Sequence, residues 1–230
     1  MIALLRKETA ALLPYWGAFA VLAAMNLLSG LWDHDFVLDP LGKRFDGGVG
    51  NVAVLWILSF LVGHGVVAHE LREGTIEFLD ALPVSRATVF GAKLLAAVLP
   101  VLGLVAASLA MDLSLVAAIR PPLSLSPLQG VLLMHAIMLA SGLSGLGCGM
   151  LLSWVGPLAW GVVALLFLIG TCGSVVVPPV GDWVPTQQLG AIAWDGPHAT
   201  HPLAPPIGLL LAGLLGVGGS GLLFLGPGGR

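Results

Sequence analysis

Charged side chains are scarce in this sequence: nine lysines and arginines and twelve aspartates and glutamates make up 9% of 230 residues. Soluble domains carry about a quarter. With 57% hydrophobic residues and a mean hydropathy of +1.01, so few charges cannot cover the surface of a water-soluble fold. Lipid must therefore solvate most of the chain. Basic residues are too few for a nucleic-acid partner, because the net charge is −3 and phosphates demand a basic footprint. The two cysteines, Cys148 and Cys172, sit inside apolar runs with no partner motif around them, so they read as packing residues and exclude a disulfide framework.

Two chemical motifs are absent as well. No G-x-x-x-x-G-K-[ST] loop occurs, so the chain cannot cradle ATP phosphates in that manner. No H-E-x-x-H occurs either, since His69-Glu70 is followed by Leu71-Arg72-Glu73 and a second ligand is missing. His198 and His201 repeat at i, i+3 on a proline-rich stretch, but two ligands make no tetrahedral set. No metal or cofactor is expected in this chain.

What is present is a series of long apolar runs. A spanning helix needs about 20 apolar residues at about 1.5 Å each. Six segments qualify, at residues 12–32, 51–68, 94–118, 127–152, 154–177 and 207–225. A tight turn is expected at 153–157. Arg6 and Lys7 ahead of the first run resemble the start of a signal peptide, but Glu8 interrupts them and the run is long enough to span, so it reads as a retained first helix. The expected fold is an all-α integral membrane protein with six transmembrane helices in one domain, residues 1–230.

Orientation follows from basic residues. With the N-terminus in the cytoplasm, Arg6, Lys7, Arg72, Arg86, Lys93 and Arg230 fall inside, against Lys43, Arg44 and Arg120 outside. The Pro- and Trp-rich stretch 178–206 is then an outside loop at the membrane interface. Small residues recur at or near four-residue spacing, as Ser141, Gly145 and Gly149 in the fourth span and as Gly208, Ala212, Gly216 and Ser220 in the sixth. Such stripes let helix backbones approach closely, either within one bundle or between subunits.

A few polar residues sit within the spans. His135 in the fourth is either a group on a polar path or a neutral imidazole satisfied inside the bundle. Asn26 and His64 are further candidates for such a path. Asp112, nineteen residues beyond Lys93, is expected at the outer interface by helical rise.

The largest charged cytoplasmic feature is the segment 69–93, which holds seven of the chain's charged side chains. Thr75 can cap a short helix and Pro83 can end it. Within it Ile76, Leu79 and Pro83 fall on one side, with Phe78 and Leu82 adjacent, and Glu73, Glu77 and Asp80 on the other. Ser85 offers a second N-cap, from which Arg86 and Lys93 begin a helix that rises into the third span.

The run Glu73-Gly74-Thr75-Ile76-Glu77-Phe78-Leu79, then Leu82-Pro83-Val84-Ser85-Arg86 and Lys93, resembles the first cytoplasmic loop of type-2 ABC exporter permeases. That resemblance implies a short coupling helix between the second and third spans that docks on a separate ATP-binding subunit, through Glu70, Arg72, Glu73, Gly74, Thr75, Ile76, Glu77, Phe78, Leu79, Leu82, Pro83 and Arg86. It also implies ATP and Mg on the partner ATPase, a second permease chain, identical or different, and a bacterial or archaeal cytoplasmic membrane with both termini inside. The family carries an amphipathic helix before the first span; here only residues 1–11 are available, so that element is short or merged with the span. A largely apolar cavity between two permease chains would suit a hydrophobic or amphipathic cargo. The competing reading is a non-transport membrane protein, either an intramembrane enzyme or an assembly scaffold, whose charged loop binds another cytosolic partner.

Overall fold

The computed structural model describes residues 2–29, 40–73, 84–118, 125–156, 158, 161–162 and 204–226. Among them every regular element is helical: α1 (Ile2–Ala11), α2 (Leu13–Ser29), α3 (Pro40–Glu73), α4 (Arg86–Ala118), α5 (Leu125–Leu152), a short 3-10 turn (Ser153–Val155) and α6 (Ala204–Leu225). Four stretches are long and apolar enough to cross a membrane, namely Val52–Arg72, Arg86–Ser114, Val131–Val155 and Pro206–Leu225. They correspond to the second, third, fourth and sixth expected spans. The first corresponds to α2, whose 17 residues extend about 26 Å. Most of the fifth, the segment 74–83 read as a coupling helix, and the loop stretch 178–203 lie outside the described residues.

One helix boundary differs from the sequence expectation around the charged segment: α3 continues past residue 68 to Glu73, whereas α4 begins at Arg86, as the Ser85 cap implies. Residues 70–73 are good helix formers that prolong the preceding span. At the other stem Ser85 is the expected N-cap: its Oγ accepts the Thr88 N–H at 3.2 Å. α1 and α2 are separate helices joined at Leu12, because Pro14 has no N–H to continue the ladder and suits only the first turn of a new helix.

α5 is the central helix. Of its membrane window 67% is buried, against 28% for α6. Its glycines set how near the neighbours come. A Cβ at Gly145 or Gly149 would overlap the carbonyl oxygens of Trp56 and Phe60 on α3, and one at Gly147 would overlap Gly213 on α6. Gly216 returns the contact against Gly147. Where lipid tails remove any hydrophobic pull between helices, such backbone approach supplies the dispersion and polar contact that hold them together. The stripes therefore serve packing within one chain, and on α6 the facing residues are Gly213, Gly216 and Ser220, while Ala212 is exposed.

Indole N–H groups tie the same helices. Trp56 Nε1 donates to Ser144 Oγ and Trp154 Nε1 to Ser220 Oγ, each at 3.0 Å. Between α4 and the rest lie Val101, Leu104, Met134, Ile137 and Met138, all buried in one apolar cluster. The expected turn after α5 is present: Ser153 Oγ donates to the Met150 carbonyl at 2.6 Å, and Gly156 takes φ +70°, a conformation that glycine adopts without a Cβ clash.

Replacing Gly149 by Ala should lower stability by about 1–3 kcal/mol, because the methyl meets backbone on α3 that cannot swing aside. Gly218→Ala, where nothing lies within 4 Å, should be neutral or stabilising by up to about 1 kcal/mol. Thermal unfolding of the detergent-solubilised chain compares the two.

Candidate functional site

Two polar clusters stand at opposite ends of α4. Lys93 and Asp112, nineteen residues apart, are separated by about 28 Å of helix, close to the thickness of the hydrocarbon layer. Lys93 marks the end that carries the connection 74–85, and Asp112 marks the other.

At the connection end Lys93 Nζ lies 2.8 Å from Glu8 Oε2 on α1 and 2.7 Å from Glu70 Oε1 on α3. All three side chains are at least nine-tenths buried. An ammonium has three donors and can serve both carboxylates at once. Charges withdrawn from water are tolerated only when so paired, since each carries a desolvation penalty of several kcal/mol. Glu70, expected at a docking surface, is thus turned inward; Arg72 is exposed, its Nε reaching back to the Ala68 carbonyl at 3.3 Å.

Arg86, at the first turn of α4, reaches another element. Its Nη1 donates to the Phe224 carbonyl at 3.4 Å, placing a cation at the C-terminal end of α6, where unpaired carbonyls carry partial negative charge. One turn further the Phe90 and Phe224 rings pack with centroids 5.4 Å apart, and Gly221 leaves the room for Phe90. Both stems of the connection are therefore fastened: α3 through Glu70 to Lys93, and α4 to α1, α3 and α6. Val84 and Ser85, the described residues of the connection itself, are exposed.

At the far end His135 is buried between α4 and α5. Its Nδ1 lies 2.8 Å from the Val131 carbonyl, which can only accept, so Nδ1 carries the proton. Nε2 faces Ser108 Oγ at 3.2 Å and Asp112 Oδ2 at 3.4 Å. Ser and Asp thus approach the same ring nitrogen, whereas a hydrolase triad needs them on opposite nitrogens. This arrangement ties α4 to α5. Asp112, expected at the outer interface by helical rise, is 1% exposed, and the face of α4 that it occupies points at α5.

The other residues singled out in the sequence lie apart. His64 is half-buried on α3, stacked on Phe60 with ring centroids 6.0 Å apart. Asn26 falls in α2 with its side chain outside the described residues, as are residues 74–83, Cys172, His198 and His201. Among the described residues no group of three or more His, Cys, Asp and Glu is arranged to hold a metal. Glu8 and Ser108 were not singled out by sequence, and Lys93 only as part of a motif. The signal for Lys93 was its position two turns inside an apolar helix in a chain with few charges.

Lys93→Met should destabilise the chain by about 3–5 kcal/mol, since Glu8 and Glu70 would remain buried together with no cation between them. The midpoint of thermal unfolding in detergent, compared with Lys7→Met at an exposed position, checks this.

Comparison with known proteins gives one match. The family described as ABC-2 family transporter protein matches residues 47–193, nearly two-thirds of the chain, from within α3 through α4 and α5 and beyond. No curated protein and no solved structure matches. The family match and the four apolar helices together show that this multi-pass membrane chain belongs to the ABC-2 family of transporter proteins, as a membrane component.

Proposed function

We propose that this chain is the permease subunit of an ATP-driven exporter, coupled through the connection between α3 and α4 to a separate ATP-binding subunit. The observation that carries this reading is the pair of fastened stems: α3 runs to Glu73, α4 starts at Arg86, and a buried ion pair on one and a part-buried hydrogen bond on the other secure them. A short segment held this way transmits force instead of absorbing it. Family membership supports transport, and the missing phosphate loop supports placing ATP, Mg and hydrolysis on a partner.

In this reading Gly74, Thr75, Ile76, Glu77, Phe78, Leu79, Leu82 and Pro83 make the docking element, with Arg72 and Glu73 at its rim. Glu70 and Arg86 act from inside, as the fastenings of the two stems. A second permease chain, identical or different, completes the translocation path, to which Asn26 and His64 contribute. His135, joined to Ser108 and Asp112, holds α4 and α5 together at the outer end. The connection end, with both chain termini, faces the cytoplasm of a bacterial or archaeal cell, in accord with six basic residues on that side against three on the other.

Two measurements test this. Replacing both Phe78 and Leu79 by Asp forces two unpaired charges into an apolar contact, and the ATPase should lose both its co-purification with the permease and its stimulation by it; full stimulation would refute the docking element. Single cysteines at positions 43 and 120, in a background lacking Cys148 and Cys172, should react with an impermeant reagent from outside, and one at position 86 should not. Outside labelling at 86 would reverse the orientation.

A further inference from the structure

Lys93 joins three helices that are distant in sequence. Glu8 lies 85 residues before it and Glu70 on the preceding spanning helix, yet both carboxylates close on one ammonium at 2.8 and 2.7 Å. We infer that Lys93 is a positioning residue: with Glu8 and Glu70 it clamps the N-terminal helix α1 onto the two stems of the 74–85 connection, so that α1 and the connection move as one body. The inference deepens the coupling reading above and rests on it.

The placement of the three groups makes the clamp. Glu70 is one turn from the end of α3, and Lys93 is two turns from the start of α4. A displacement of the connection therefore reaches the ammonium through less than about three turns of helix on either side. α1 packs chiefly on α4, and Leu4 and Leu5 sit against the apolar cluster while Arg6 and Lys7 are exposed. Apolar contacts alone would let α1 slide along α4, because they have no preferred direction. A charge-assisted hydrogen bond has one. Glu8, the buried acid of α1, fixes the register of that helix against α4, and Glu70 fixes α3 to the same point. At the far end of α4 the contacts of Ser108 and Asp112 with His135 run to α5.

The test uses the full chain in detergent and, separately, its complex with the ATP-binding subunit. Spin labels at cysteines replacing Lys7 on α1 and Ala87 on α4, both exposed, report the distance between the helices in a background lacking Cys148 and Cys172. The parent should give one narrow distance distribution and K93M a broad one. The exchange E70K/K93E keeps two acids and one base at the same three positions, and should restore the narrow distribution. A narrow distribution in K93M, or an exchange that fails to restore it, overturns the clamp whatever the connection does. In the complex, K93M should lose permease-dependent ATPase stimulation on the order of tenfold, with recovery in the exchange. Stimulation unchanged in K93M while the distances broaden overturns the positioning role. Failure of the coupling reading itself is seen separately, as full stimulation in F78D/L79D.

Discussion

Hydrocarbon does not solvate a charge, and the placement of the few charges in this chain follows from that. A buried ammonium or carboxylate must find an opposite charge or strong hydrogen bonds, or its helix cannot sit in the membrane. Lys93 finds two carboxylates, and Asp112 lies 3.4 Å from Nε2 of His135, which pairs with it only when the ring carries both protons. Because the partners come from different helices, the requirement for pairing becomes a requirement for assembly: α1, α3 and α4 meet at one end, and α4 and α5 at the other. Glycine does the rest. Gly145, Gly147 and Gly149 bring α5 against the backbones of α3 and α6, so that the middle of the bundle is held by backbone contact where no charge is available.

Polar contacts fasten the molecule where the connection leaves it. Glu70 and Lys93 hold one stem, and Arg86 and Phe90 hold the other against the end of α6. A bundle with loose stems would dissipate movement of the connection within its own last turns. In the proposed coupling, such movement is passed through these contacts to α3 and α4, and to α5 packed on them. That is the mechanical property a permease subunit needs if ATP binding elsewhere is to change access to a path between the helices.

Much of this was legible in the sequence, and the reasons differ by residue. Apolar runs announce spanning helices because lipid allows little else, and the four that the structure describes fall where hydropathy put them. Ser85 as a cap and the turn at 153–156 were legible because capping and glycine chemistry act over a few residues. The end of α3 was not. Residues 69–73 look like a charged loop by composition, but in a helix already formed they cost little to add. Least legible were the pairs. Nothing local connects Glu8 to Lys93, and spacing along α4 gave Asp112 an expected depth but no partner, because the choice of partner depends on the rotation of α4 against α5. Ser141, Gly145 and Gly149 were visible as a stripe, but whether it faced a neighbour in the same chain or in another required the positions of α3 and α6.

The proposed coupling requires that the connection between α3 and α4 meet an ATP-binding subunit. The most direct measurement is site-specific photo-crosslinking in native membranes, with a photoreactive residue at position 79 within the connection or at position 113 beside the far cluster. Coupling through the connection gives an adduct with a phosphate-loop ATPase from position 79 and none from 113. Absence of any ATPase adduct from 79, or an equal yield from 113, would contradict it.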